Sequence, residues 1–144
     1  MNPSTVPFAC ALVGFSISTA FAQAMDYTSV EAIAGKPVQL SYHASAHKNC
    51  TAGPPPTIRV TQPPRDGVLM VRKATLTTNK IASCPGLKTP AEVVLYQARE
   101  GYSGSDHVGY EVTDTNGKVS VVDVAITVKA GPAPKPDEQK GTSL

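Results

Sequence analysis

Hydrophobic and polar positions alternate with a period of two along residues 101–128, the most regular pattern in the chain. In one run, Val108, Tyr110 and Val112 alternate with polar or small residues, which is typical of a β-strand with one buried face. Asn116-Gly117 follows, and both residues tolerate the positive φ angles that a tight hairpin turn requires. The pattern therefore predicts two long antiparallel strands that close the domain. The hydrophobic face of the second strand consists of Val122, Val124, Ile126 and Val128.

Shorter segments with a strand-like pattern precede this pair, and the turns between them are rich in glycine and proline. The stretches His43–Pro56 and Arg72–Pro90 show no periodicity, and we expect long loops there. No segment combines helical periodicity with the length and capping residues of a helix. The sequence predicts an all-β fold, an antiparallel Greek-key β-sandwich of about seven strands. The short segments are residues 27–33, 38–42, 57–61, 68–71 and 91–98.

The N-terminal stretch predicts an export signal. Phe8–Ala22 is apolar and small, long enough for the hydrophobic region of a signal peptide but shorter than the roughly 20 helical residues that span a bilayer. Ala20-Phe21-Ala22 fits the rule for a cleavage site, so the mature chain would begin at Gln23; Ala22-Gln23-Ala24 is the alternative site. Met1–Pro7 contains no lysine or arginine, which departs from the usual signal, and a buried strand or an uncleaved anchor is the competing interpretation.

Composition limits what the rest of the chain can form. All three phenylalanines lie within residues 1–22 and tryptophan is absent, so the core must consist of aliphatic residues and tyrosine. The net charge is +2 with scattered lysines and arginines, which gives no indication of nucleic acid or an anionic membrane surface as a partner. Residues 131–144 are rich in proline and charge, which predicts a disordered tail or linker. The predicted organisation is a signal peptide at 1–22, a β-sandwich at 23–130 and this tail.

Cys50 and Cys84 are the two cysteines that remain after the predicted cleavage. Export would expose both thiols to an oxidising compartment, the periplasm or the extracellular space, so the pair predicts a disulfide. A cross-link over this separation would stabilise the fold by roughly 3 to 4 kcal/mol in the chain-entropy description. A pair of metal-binding thiols is the alternative.

Two groups of side chains are candidate metal ligands. His43 and His47 lie in one predicted loop and could bind copper or zinc, with His107 as a third ligand if the fold brings it near; solvated loop histidines are the alternative. Oxygen donors of the kind that calcium prefers also occur near the closing hairpin, although they lack the alternating acidic cluster of a calcium loop. These calcium candidates are Asp106, Asp114, Asn116 and Asp123, of which Asp114 also suits the entry of a hairpin turn.

Residues 96–128 resemble the closing half of bacterial immunoglobulin-like or cadherin-like repeats of surface and secreted proteins. The family pattern is a strand with tyrosine, then Gly-aromatic-x-Gly-x-Asp-x-apolar-x-Tyr-x-Val-x-Asp-x-x-Gly, then a valine-rich final strand. This chain departs from it in having Val108 where the family usually has phenylalanine, in its cysteine-bearing loops and in being a single copy. The matching residues are Tyr96, Gly101, Tyr102, Gly104, Asp106, Val108, Tyr110, Val112, Asp114 and Gly117.

The resemblance implies a β-sandwich used for adhesion, spacing or ligand display, with no enzymatic activity, and cadherin-like domains often bind calcium between repeats. It also suggests structural roles for four matching positions. The spacing of Asp106 and Tyr110 is that found before a tyrosine corner, in which the tyrosine hydroxyl bonds to upstream backbone. We expect Asp106 to accept hydrogen bonds from loop amides, and Gly101 and Gly104 to allow the sharp entry into the strand.

The sequence favours an exported, non-enzymatic module that binds a protein or glycan through the two loops that the disulfide connects, because binding residues concentrate on loops held by a rigid scaffold. A small periplasmic copper- or zinc-binding protein is one alternative. A structural subunit of an envelope assembly, whose exposed strand pairs with another chain, is a second. Catalysis is not indicated, since the sequence has no G-x-S-x-G or comparable nucleophile motif and no recognisable pairing among Glu92, Glu100 and Glu111.

Overall fold

The computed structural model describes residues 25–79 and 83–132, so the predicted signal peptide and all but the first two residues of the predicted tail lie outside it. The strands are β1 (Met25–Ile33), β2 (Pro37–Ala44), β3 (Thr57–Gln62), β4 (Gly67–Thr78), β5 (Leu87–Ala98), β6 (Gly104–Thr113) and β7 (Val119–Lys129). They form a four-stranded sheet with the order β1-β7-β6-β3 and a three-stranded sheet with the order β2-β5-β4. The prediction of an all-β sandwich with about seven strands is confirmed.

Strand pairing is antiparallel, as predicted, in the pairs β2–β5, β4–β5, β3–β6 and β6–β7. β1 instead pairs with β7 in parallel, from Met25 opposite Val121 to Ile33 opposite Lys129. The predicted antiparallel sandwich thus holds for four strand pairs, and β1 adds one parallel pair to it. The chain reverses direction at every connection, so the first and the seventh strand point the same way and can pair only in parallel.

Consecutive connections lie at opposite ends of the sandwich, because the chain reverses at each of them. The turn end consists of residues 34–36, 63–66 and 99–103. Among the described residues, the loop end consists of residues 45–56, 79, 83–86 and 114–118. Both segments that carry a cysteine belong to the loop end, so the fold brings them to the same side of the molecule.

The core lies between the two sheets and is built from alternate residues of the central strands. In β5, Val94, Tyr96 and Ala98 are at most 2 % exposed. The residues of β6 and β7 that face β5 across the core belong to the hydrophobic faces that the alternation predicts. All of them are buried except Val122, which is partly buried. Tyr96 and Tyr110 are the largest fully buried side chains and Tyr102 packs against the core, so tyrosines supply the aromatic volume that phenylalanine and tryptophan do not provide among the described residues.

The hairpin of β4 and β5 is longer than the sequence predicts. A loop is expected over Arg72–Pro90, but the two strands pair in continuous register as far as Thr78 opposite Leu87. The alternation is weak here, because the first half of the segment offers only an alanine and a leucine as apolar positions. Pro90 argues against a strand interior, yet it lies one residue beyond the last β2–β5 pair, so its missing N–H costs no hydrogen bond to β2.

The β6–β7 turn also differs from the prediction. The sequence predicts two positive φ angles, at Asn116 and Gly117, whereas only Gly117 has one, with φ 80°. The turn is closed by Asp114, whose Oδ1 accepts the N–H of Asn116 at 2.8 Å and the N–H of Lys118 at 2.9 Å. Asp114 is therefore a turn-forming residue, the ordinary role that the sequence allows for it.

Candidate functional site at the loop end

The β2–β3 loop, residues 45–56, folds back on itself as a small hairpin. Ala46 and Ala52 form an isolated antiparallel bridge, and the N–H of His47 donates to the carbonyl of Thr51 at 2.9 Å. At the tip, Cys50 has a positive φ of 60°, and its N–H donates to the carbonyl of His47 at 3.0 Å. This left-handed conformation closes the turn. The tip is thus shaped by its own backbone hydrogen bonds.

Cys50 and Cys84 form the predicted disulfide, with their Cα atoms 5.2 Å apart, so the alternative of a metal-binding thiol pair is wrong. The bond joins the tip of the β2–β3 loop to the β4–β5 turn, and Cys84 is 2 % exposed. A second link lies at the base of the loop, where the hydroxyl of the fully buried Thr89 donates to the carbonyl of Ser45 at 3.0 Å. The loop is therefore attached to the β4–β5 hairpin at both its tip and its base.

The outer surface of the loop end is polar. His47, Lys48 and Asn49 are exposed at the tip of the β2–β3 loop, and Asn116 and Lys118 are exposed in the β6–β7 turn at the same end. Imidazole, ammonium and amide groups are hydrogen-bond donors that suit carbonyl, carboxylate and hydroxyl groups. The loop end therefore presents donors that could bind a polypeptide or a sugar.

A polar network lies inside the sandwich, behind the loop end. The hydroxyl of Ser41 is 2.6 Å from the hydroxyl of Tyr110 and 2.9 Å from Nε2 of His43. The ring of His43 meets the ring of Tyr110 edge-on, with centroids 6.1 Å apart. A bulge between Gln39 and Ser41 shifts the alternation of β2 by one residue, which turns Ser41 and His43 toward the interior. Burial lowers the pKa of the His43 imidazole.

The stability of the protein is expected to fall as the pH is lowered from about 7.5 to about 5.5 because of His43. Its folded-state pKa lies below the ordinary value of 6.5, so the unfolded chain binds the proton more readily. Stability that is present above pH 6.5 is therefore lost as the pH falls through that value toward the folded-state pKa. Chemical denaturation of the wild type and of His43→Gln at both pH values measures the effect. Equal losses of unfolding free energy in the two proteins would rule out the contribution of His43.

The structure does not bring the three predicted histidine ligands together. His43 faces the interior, His47 is exposed at the loop tip, and His107 lies on the outer face of β6, where its Nε2 pairs with the carboxylate of Asp123. Consecutive residues of a strand point to opposite faces, and Val108 beside His107 is buried in the core. The four-stranded sheet therefore lies between the side chain of His107 and that of His43. Within residues 25–79 and 83–132, no group of three or more His, Cys, Asp or Glu side chains is placed to hold a metal ion. A copper or zinc site shared by these histidines does not fit this geometry.

The four predicted calcium ligands are also dispersed. Asp106 lies near the start of β6 at the turn end, whereas Asp114 and Asn116 lie at the loop end, with the length of β6 between them. Asp123 pairs with His107, and Asp114 bonds to the amides of its own turn. Calcium takes about six or more oxygen ligands. A single calcium site shared by the four residues therefore does not fit this geometry.

Asp106 is the centre of a buried network at the turn end. Its carboxylate accepts the backbone N–H groups of Arg65 and Asp66, each at 3.0 Å. It also accepts the N–H of His107 and the hydroxyl of Tyr96, each at 2.8 Å. Burial alone would raise the pKa of this carboxyl, but the four hydrogen bonds outweigh burial and hold the pKa below its ordinary value. The expected hydrogen bonds from loop amides to Asp106 are confirmed.

Tyr110 does not form the expected tyrosine corner, because its hydroxyl bonds to Ser41 across the sandwich and not to upstream backbone. The tyrosine that bonds to nearby backbone is Tyr102, whose hydroxyl donates to the carbonyl of Ser105 at 2.7 Å. Gly101 and Gly104 beside it have φ of 76° and 144°, as expected for the entry into β6. The alternation thus placed Tyr110 in the core correctly, whereas the tyrosine-corner spacing gave its hydroxyl the wrong hydrogen-bond partner.

Two clefts among the described residues lie at the turn end and share Glu100 in their linings. One, of about 420 Å³, is lined in part by Lys36 and Gly131, and the other measures about 440 Å³. Arg99 and Asp66, which line the second cleft, form an ion pair at 2.8 Å. Two of the charged side chains that line the second cleft are therefore already paired with each other.

No protein-family model matches this sequence, and no curated protein matches it significantly. In the part of the chain that the structure describes, no helix is long and apolar enough to cross a membrane.

Proposed function

We propose that the protein is an exported, non-enzymatic immunoglobulin-like or cadherin-like module that binds a protein or a glycan through its loop end. The observation that carries this proposal is the Cys50–Cys84 bond, which fixes the tip of the β2–β3 loop to the β4–β5 turn. Disulfides persist in the periplasm and outside the cell, which supports export. A loop that is fixed before binding loses less conformational entropy when a partner docks, which favours affinity.

The strand order supports the family assignment. In immunoglobulin-type sandwiches the second, fifth and fourth strands share one sheet, and the third, sixth and seventh strands share the other. This chain has the same division, with β1 added beside β7. The β2–β3 and β6–β7 connections lie at the end of the sandwich that corresponds to the binding loops of antibody variable domains. The proposal therefore places the binding residues where this architecture commonly carries them.

Ser41 and His43 are in hydrogen-bond contact and have the residue types of a nucleophile and its base. The pair faces the interior of the sandwich, and the Ser41 hydroxyl is also bonded to Tyr110 of the opposite sheet. A nucleophile must reach a substrate, whereas these contacts join the two sheets. We therefore interpret the pair as structural, which is consistent with a binding module.

A double variant, His47→Ser/Lys48→Ser, tests the binding proposal. It removes two exposed side chains from the loop tip while the backbone hydrogen bonds that shape the tip remain possible. The matched control is Lys36→Ser/Arg65→Ser, which changes two exposed residues at the turn end. Labelled samples of both variants and of the wild type are applied to a glycan array. In a separate pull-down, the same three proteins are immobilised and incubated with envelope extract, and the bound proteins are identified by mass spectrometry.

The expected result is one defined partner that the control binds as the wild type does and that the tip variant binds about ten-fold more weakly or not at all. The affinity for that partner is then measured by calorimetry for each protein. Recovery of every partner in equal amounts by the tip variant and the wild type would overturn the assignment of the loop end. Loss of a partner in both variants would do the same.

A further inference from the structure

We propose that the free edge of β4 accepts an extended, acidic segment of a partner protein as an added strand. β4 is an edge strand of the three-stranded sheet, and its 12 residues pair with β5 alone among the described strands. Its other side presents N–H and C=O groups that a further strand could use. This surface is distinct from the loop tip, so the proposal stands or falls separately from the binding function of the loops.

The sandwich is open along the β4 side. Val71 of β4 lies directly opposite Val94, and Val60 of β3 lies directly opposite Tyr110. Cross-strand partners share a face of their sheet, so both valines point toward the interior. Val94 and Tyr110 are fully buried, whereas Val71 is 40 % and Val60 is 41 % exposed. The contact of β1 with β2 places β3 and β4 together at the opposite side, where these inward-facing valines remain in water.

β4 is also the longest regular edge of the molecule within the described residues. β2 and β3 each contain a register irregularity, and prolines flank β3 at Pro56 and Pro63. Bulges and prolines of this kind protect edge strands from pairing. β1 is regular but shorter, with nine residues. β4 has no proline and no irregularity over its full length, so it presents an uninterrupted row of backbone groups.

Arg72 and Lys73 determine the charge that an added strand must carry. They are neighbours in the middle of β4, so their side chains point to opposite faces, and neither forms an ion pair within residues 25–79 and 83–132. Glu92 is the cross-strand partner of Lys73, but it lies on β5, on the far side of β4 from the free edge. Two adjacent acidic residues on an added strand would lie beside both basic residues and pair with them.

A second copy of this chain is a poor occupant of the same edge. In the full-length antiparallel register, Gly67 of one β4 faces Thr78 of the other, and Arg72 of each copy then lies directly opposite Lys73 of its partner. Like charges in directly opposed positions destabilise strand pairing. Charged residues on an edge strand are a common protection against self-association. The edge therefore disfavours its own copy and selects an acidic strand.

The probe is a fluorescent peptide of about ten residues that alternates valine and threonine and carries two adjacent glutamates at its centre. The matched control peptide has two lysines in place of the glutamates. Anisotropy titration of the mature protein is expected to show saturable binding of the glutamate peptide, about ten-fold tighter than that of the lysine peptide. Hydrogen–deuterium exchange should show new protection in β4.

The charge-reversed variant Arg72→Glu/Lys73→Glu should prefer the lysine peptide, and the neutral variant Arg72→Gln/Lys73→Gln, which covers a failure of the reversed variant to fold, should lose the preference. The loop-tip variant His47→Ser/Lys48→Ser should bind the glutamate peptide as the wild type does, which separates this edge from the loop end. The proposal is overturned by equal affinities for the two peptides, by binding of neither, or by protection confined to β1, β2 or β3. A wild-type dimer held through β4 would overturn it as well.

Discussion

Replacement of Asp106 with alanine is expected to lower the free energy of unfolding by about 3 to 5 kcal/mol. Asp106 is 7 % exposed, and its carboxylate accepts three backbone N–H groups and the hydroxyl of Tyr96. Truncation leaves these donors without an acceptor in a place that water reaches poorly, and each unpaired buried donor is costly. The donors belong to the β3–β4 turn, to β5 and to β6, so the loss also loosens the contact between the two sheets at the turn end. Guanidinium denaturation of the purified protein measures the change.

Two matched variants separate this effect from a general loss of charge or of a tyrosine contact. Asp66→Asn removes a carboxylate from the exposed ion pair with Arg99 and should cost less than about 1 kcal/mol. Tyr96→Phe removes one of the four donors to Asp106 and should cost about 1 to 2 kcal/mol. If Asp106→Ala costs no more than Asp66→Asn, the buried network does not stabilise the turn end in the way described.

The same network makes the fold sensitive to acid. The hydrogen bonds to Asp106 hold its folded-state pKa below the ordinary value of 3.8, against the opposing effect of burial. The unfolded chain therefore takes up the proton first as the pH falls. The stability that Asp106 contributes is present above pH 3.8 and is lost as the pH falls through the folded-state pKa. In Asp106→Asn, this component of the acid-induced loss should be absent.

Local alternation in the sequence was sufficient to predict the closing hairpin and half of the core. Val108, Tyr110 and Val112 are all buried, as their period of two requires. Such a prediction succeeds because the signal lies within one strand and needs no knowledge of its partner. The disulfide was predictable for a different reason, since only two cysteines remain after the predicted cleavage and they have one possible pairing.

Features that depend on strands distant in sequence were not predictable. The bond between Ser41 and Tyr110 joins positions 69 residues apart, and it exists only because a bulge in β2 turns Ser41 inward. No local pattern marks that bulge. The extension of β4 and β5 has no signal in the local sequence pattern, because it is held by the pairing between the two strands and not by a hydrophobic face of its own. The candidate metal ligands are likewise dispersed because the strands place them at different ends of the sandwich and on different faces of the sheets.

The shape of the loop end was predictable only in part. The sequence identified the loop that contains His47 and Cys50, but not the hairpin within it, because the bridge between Ala46 and Ala52 has no alternating pattern behind it. The positive φ of Cys50 was also unexpected, since cysteine has no preference for that conformation. The exposed edge of β4 became visible only with the sheet order, which sequence patterns do not encode.

Removal of the disulfide in Cys50→Ala/Cys84→Ala is expected to lower the free energy of unfolding by about 3 to 4 kcal/mol. The bond closes a segment with a sequence separation of 34 that contains β3 and β4. In the chain-entropy description the cost arises because the unfolded chain regains the freedom that the cross-link removed. Alanine is the appropriate replacement because Cys84 is 2 % exposed, and a buried serine hydroxyl would need a hydrogen-bond partner.

The site of this loss distinguishes a local clamp from general destabilisation. Hydrogen–deuterium exchange in the double alanine variant should rise in residues 45–54 and 83–86, whereas β6 and β7 should stay protected because neither strand contains a cysteine. Treatment of the wild type with dithiothreitol should reproduce the effect, and the same treatment of the variant should change nothing. A loss below about 0.5 kcal/mol would mean that the loop keeps its shape without the cross-link. The binding proposal would then lose its main support, because it depends on a loop tip that the disulfide fixes before a partner arrives.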